Sequence, residues 1–218
     1  MKYFSCPVVV LCAVCSYNCY ANMVVNGGFE NNTAVGPVFN PSNATFNATM
    51  SSVTAFGIRA GIDIQGGQFG LAAHGGNWKV TPASDIGGTS EAFSMELTNG
   101  TVAGQNYSLS FYIEGIPQFG YAGGPVEIGL SAVNNAFGTQ ISSATAVDNV
   151  WTFASTNFSA PINANFLTVR LSTSASEWVG LDDFSLEPAP VPLPPTGLLG
   201  LSAVGLLWFR RRSTKSCG

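Results

Sequence analysis

Tyr107-Ser108-Leu109-Ser110-Phe111-Tyr112-Ile113-Glu114 sets Tyr107, Leu109, Phe111 and Ile113 against Ser108, Ser110, Tyr112 and Glu114. A period of two places these rows on opposite faces of an extended chain, so the stretch reads as a strand with one face toward a core. The pattern recurs at Phe93, Met95 and Leu97, at Val126, Ile128 and Leu130, and at Leu167, Val169 and Leu171. Turn-forming groups separate these runs: Asn99-Gly100, Ala103-Gly104-Gln105, residues 120–125 and Asn134-Asn135. No segment between them keeps a helical period over three turns. The expectation is an all-β antiparallel sandwich of about eight or more strands. Residues 31–52, rich in Asn, Ser, Thr and Ala, read as a loop.

The ends carry a different pattern. Lys2, the apolar run from Val8 to Val14 and the small-residue site Cys19-Tyr20-Ala21 predict a signal peptide over residues 1–21. Four of the five cysteines (Cys6, Cys12, Cys15, Cys19) fall in that leader and Cys217 in the tail, so residues 22–187 form no disulfide. The C-terminal end divides into a Pro-rich linker (188–196), an apolar segment (197–209) and a basic tail (210–218) opening on Arg210, Arg211 and Arg212. The apolar segment is short against the ~20 residues that cross a bilayer core, and the arginines would stay on the cytoplasmic side. These features fit a transient membrane hold better than a permanent anchor.

Val191-Pro192-Leu193-Pro194 followed by the apolar run and the arginines resembles the PEP-CTERM sorting signal in its Val-Pro-Leu-Pro variant. The resemblance implies processing by an exosortase-type transpeptidase and delivery to the cell surface or extracellular matrix. Leu193-Pro194-Pro195-Thr196-Gly197 also matches the Leu-Pro-any-Thr-Gly signal of sortases, which would make the chain a wall-attached adhesin. Because the apolar run starts at the Gly itself, the exosortase reading is preferred.

The span 22–187 is long enough for one substantial core. It holds all twelve acidic side chains but only Arg59, Lys79 and Arg170 as cations. An acidic surface argues against nucleic acid, anionic polymers and membranes as partners and favours neutral ligands or divalent cations.

Asn26-Gly27-Gly28-Phe29-Glu30 opens this span and Gly180-Leu181-Asp182-Asp183-Phe184-Ser185-Leu186 closes it, with a Gly-rich region from 56 to 78 between them. This order resembles the galactose-binding-like jelly roll of many carbohydrate-binding modules. In an unbroken closing strand Asp182 shares the parity of Phe184 and Leu186 and points inward, which demands a partner. With three cations available, a structural Ca²⁺ is the economical solution. The resemblance implies the same ion, held by Glu30 and Asp182, with Asp183 as a weaker third. The alternative is that these carboxylates accept backbone N–H bonds or pair with Arg59 or Arg170.

Sugar recognition calls for an exposed aromatic surface with a few planar polar groups. Two segments offer one: His74-Gly75-Gly76-Asn77-Trp78, with Asn77 and Trp78 as ligand residues, and Pro117-Gln118-Phe119-Gly120-Tyr121, with Phe119 and Tyr121. Trp151 reads as core and Trp178 as packing beside the closing strand. His74, the only histidine, reads as a loop hydrogen-bonder. No nucleophile elbow, zinc motif or phosphate loop is present, and Glu114 and Glu127, the one conceivable glycosidase pair, read as solvated faces, so no enzyme is expected. The sequence thus predicts an exported, non-enzymatic surface or biofilm-matrix protein able to bind polysaccharide; a structural coat sandwich without a ligand is the alternative.

Overall fold

A computed structural model describes residues 21–171 and 175–189. These form one helix, α1 (Asn43–Thr49), and twelve strands. In chain order the strands are β1 (Val53–Ala55), β2 (Asp63–Gln65), β3 (Lys79–Thr81), β4 (Ala83–Asp85), β5 (Thr89–Ser90) and β6 (Ala92–Thr101). They continue as β7 (Asn106–Gly115), β8 (Pro125–Ser131), β9 (Thr139–Thr145), β10 (Thr152–Ser159), β11 (Ala164–Leu171) and β12 (Glu177–Pro188). One sheet runs β1-β6-β11-β8-β9 and the other β10-β7-β12-β3-β2, with β4 paired to β12 and β5 to β4. All strand pairings are antiparallel.

Registers explain why the alternating rows meet. Leu167 lies opposite both Met95 and Leu130, and Val169 opposite both Phe93 and Ile128, so one face of the first sheet is continuous hydrocarbon. Leu181 lies opposite Ile113, and Leu186 opposite Leu109, on the facing sheet. These rows are buried together with Phe29, Phe111 and Phe184. Phe111 stacks on Phe184 at 4.9 Å and Phe29 meets Phe184 edge-on at 6.1 Å, geometries that aromatic quadrupoles favour. Asn99 and Gly100 extend β6 and form no turn; the turn expected over residues 103–105 is present at 103–104.

The two end motifs meet. Met23 N–H donates to Leu186 O, Phe184 N–H donates to Gly27 O, and Asn22 bonds both Phe184 O and Leu186 N–H. A side chain at position 27 would collide with the Phe184 carbonyl, which accounts for the glycine. Asn26 closes the following turn by bonding Asn31 N–H, Asn31 O and Ser51 O.

Three expectations need correction. Residues 31–52 are not all loop: Ser42 caps α1 by accepting from Thr45 N–H, and Phe46 buries its ring in the core. Asp182 does not point inward: β12 carries an extra residue between Asp182 and Ser185, with Asp183 at φ 53°, so Asp182 joins Tyr112 on the outer face while Phe184 keeps the core. Trp151 is half-buried on that outer face, its Nε1–H donating to Ala72 O, and is not core.

Candidate ligand-binding site

Two polar constellations occupy the outer face of the β10-β7-β12-β3-β2 sheet. The first is a roof. Residues 66–78 cross the sheet, and side chains beneath tie them down. Leu71 N–H donates to Glu114 Oε2, His74 and Gly75 N–H donate to Asp182 Oδ2, and Asn77 and Trp78 N–H donate to Glu30 Oε1. Lys79 Nζ donates to Phe69 O and Leu71 O and pairs with Glu114, both side chains being fully buried. His74 bonds Asp183 Oδ2 at 2.7 Å and stacks on Tyr112 at 3.4 Å.

The candidate calcium residues sit in this roof. Glu30 and Asp182 are engaged by backbone N–H groups, the alternative weighed from sequence, and Asp183 faces His74. Among the described residues no three His, Cys, Asp or Glu side chains gather as a metal-binding group. Glu114 is not a solvated face: its parity is outward, but the roof buries it. Glu127 pairs with Arg170 on the opposite sheet, so the two glutamates form no catalytic pair.

The second constellation is open. A cavity of about 240 Å³ is lined by Asn40, Arg59, Gly61, Asp63, Phe69, Thr81, Ala83, Glu91, Phe119, Tyr121 and Trp178. β2, β3, β4 and the start of β12 supply its floor; the 116–122 loop supplies Phe119 and Tyr121. Four rings form one wall: Phe69 lies 5.1 Å from Trp178 and 5.8 Å from Phe119, and Tyr121 lies 6.1 Å from Trp178. Trp178 is fixed by its Nε1–H to Thr81 O, whereas Phe119 is 78% exposed at φ 55°.

Polar groups are fixed opposite. Arg59 Nη1 reaches Asp85 at 2.9 Å and Tyr121 Oη at 3.3 Å, and Tyr121 O–H donates to Asp85. Asp63 accepts from Asn40 N–H at 2.7 Å. Glu91 Oε2 accepts from Ala83 N–H at 2.8 Å, while Oε1 has no hydrogen-bond partner and only the charge of Arg59 Nε at 3.4 Å. Burial pushes the Asp63 carboxyl up to about 6, against the Asn40 and Thr81 bonds. It pushes Glu91 up to about 8, against the Ala83 bond and the Arg59 charge.

Of the ligand residues expected from sequence, Phe119 and Tyr121 lie in this cavity. Asn77 is exposed on the roof and Trp78 packs its ring against the core, so neither lines it. Phe69, Trp178, Arg59, Asp63 and Glu91 are the residues that sequence reading missed. Arg59 carried one signal, being one of only three cations in residues 22–187.

Neither a family model nor a curated protein matches the sequence. Among solved structures, the chain is similar to a xylan-binding domain of family 22 from Paenibacillus barcinonensis, at 15% identity, covering 76% of this chain and 94% of that one, with a TM-score of 0.43. It is also similar to the C-terminal family 22 carbohydrate-binding module of a Clostridium thermocellum xylanase, at 15% identity, covering 78% and 98%, with a TM-score of 0.48. A third is the N-terminal cellulose-binding domain of a Cellulomonas fimi glucanase, at 14% identity, covering 65% and 91%, with a TM-score of 0.41. At these scores the likenesses say nothing of a ligand for this chain.

Proposed function

We propose that this chain is a non-catalytic carbohydrate-binding sandwich, exported and sorted by its C-terminal tail to the cell surface or matrix. The observation that carries the binding reading is the cavity that sets Phe69, Phe119, Tyr121 and Trp178 against Arg59, Asp63 and Glu91. Sugars present apolar C–H faces and a belt of hydroxyls, so they need rings to lie on and fixed donors and acceptors beside them. The cavity volume of about 240 Å³ falls below the roughly 300–1,000 Å³ of drug-sized sites, which suits one or two sugar rings.

Calorimetric titration of the full chain with a polysaccharide-fragment panel tests this. Phe119→Ala removes an exposed ring with little effect on folding and is expected to weaken binding roughly tenfold or more. Saturable binding that Phe119→Ala leaves untouched would place the site elsewhere.

The sorting reading concerns residues 190–218, outside the described residues, and is supported by the order of spacer, apolar run and arginines alone. Mass spectrometry of the surface-exposed protein is expected to find a C-terminus close to Pro194 or Thr196. Recovery of Arg210–Arg212 on that protein would refute processing.

A further inference from the structure

Resting on the carbohydrate reading of the cavity, we propose that its ligand is an amino sugar with a free, protonated amine, seated between the carboxylates of Glu91 and Asp63 and the aromatic wall.

The cavity and its rim carry Asp63, Asp85 and Glu91 against Arg59, which engages Asp85 at 2.9 Å and stands 3.4 Å from Glu91 Oε1. Glu91 is 1% exposed, yet its Oε1 lacks a hydrogen-bond donor. That oxygen lies against the lining residue Gly61, where a Cβ would come within 2.7 Å of it and fill the space beside it. A buried carboxyl oxygen without a donor is costly, and an ammonium group brings three donors together with a second positive charge beside Arg59. Aromatic faces attract the same cation, most strongly where water is excluded, and Phe69, Tyr121 and Trp178 stand at that wall. An anionic sugar would meet like charge. A neutral sugar would offer its hydroxyls but bring no charge to favour the ionised form of Glu91. The excess of acidic side chains over residues 22–187 also draws cations toward the site.

Proton linkage gives a second readout. Burial leaves Glu91 protonated near neutral pH, and the groups facing it are Arg59, Asp63, Asp85 and the Ala83 N–H. A cation arriving at Oε1 favours the ionised form, so binding should release a proton to the buffer.

The test is calorimetry of the full chain at pH 6 with three β-1,4-linked tetrasaccharides that differ only at C2: glucose, N-acetylglucosamine and glucosamine. The glucosamine tetramer is expected to bind roughly tenfold or more tighter than the other two, with a heat that depends on the ionisation enthalpy of the buffer. Glu91→Gln keeps an acceptor for Ala83 N–H and should remove the preference for the glucosamine tetramer; Asp63→Asn serves if that variant does not fold. Equal affinity for all three overturns the amine inference and leaves the carbohydrate reading standing. Binding of none overturns both. A trilysine peptide binding as tightly as the glucosamine tetramer keeps the cation site but overturns its assignment to a sugar.

Discussion

Lys79→Ala is expected to lower unfolding stability by about 3–5 kcal/mol, the range found when one partner of a buried ion pair is removed. Lys79 and Glu114 are fully buried beneath residues 66–78. Burial pushes the Lys79 ammonium down and the Glu114 carboxyl up, and each is held charged mainly by the other. Removing the lysine strands Glu114 in a low-dielectric site and also strips Phe69 O and Leu71 O of their donor. For a domain of this size the melting temperature should drop by roughly 10 °C. The double variant Lys79→Met, Glu114→Leu should recover part of the loss, because it removes both charges, but not all of it, because Leu71 N–H loses its acceptor as well. Thermal and denaturant unfolding of the three proteins measures this. A loss below about 1 kcal/mol in Lys79→Ala would mean that the roof does not bury the pair.

Stability is also expected to fall as pH rises from about 4 to 8, opposite to the usual behaviour of salt-bridged carboxylates. Asp63, Asp182 and Glu91 titrate at about 6, 7 and 8 in the folded chain, above ordinary values of 3.8, 3.8 and 4.5. Burial is the leading cause for all three; at Asp182 it outweighs the N–H bonds from Gly75, Asp183 and His74, with Asp183 adding like charge. Between the ordinary and folded values the native state holds protons that the unfolded chain has released. Raising the pH therefore favours unfolding, and the stability present below about pH 4 is lost as pH passes through 6, 7 and 8. Melting temperatures at pH 5, 6, 7 and 8 should decline, and Glu91→Gln should flatten the last step. A curve that rises across that range would contradict the burial of these groups.

The core was legible in the sequence because it depends on short-range periodicity. The rows at 93–97, 107–113, 126–130 and 167–171 all became buried faces of β6, β7, β8 and β11. What was not legible depends on features that periodicity cannot report. The bulge after Asp182 reverses one carboxylate's face without disturbing the apolar pattern on either side. The roof buries Glu114, whose outward parity was read correctly but whose covering segment lies 43 residues away. The helix α1 is too short to show a period, and only Ser42 followed by Thr45 hints at its cap. The candidate site was half visible. Phe119 and Tyr121 stood out as aromatics in a Gly-rich loop, whereas Phe69, Asp63, Glu91 and Trp178 come from separate stretches that only the fold unites.

The most direct test of the carbohydrate reading is a calorimetric titration of the full chain and of Phe119→Ala with the same oligosaccharide panel. Saturable binding to at least one saccharide, weakened roughly tenfold or more in Phe119→Ala at an unchanged melting temperature, is the predicted result. Absence of saturable binding to every saccharide would contradict it, and equal affinity in the two proteins would contradict its assignment to this cavity.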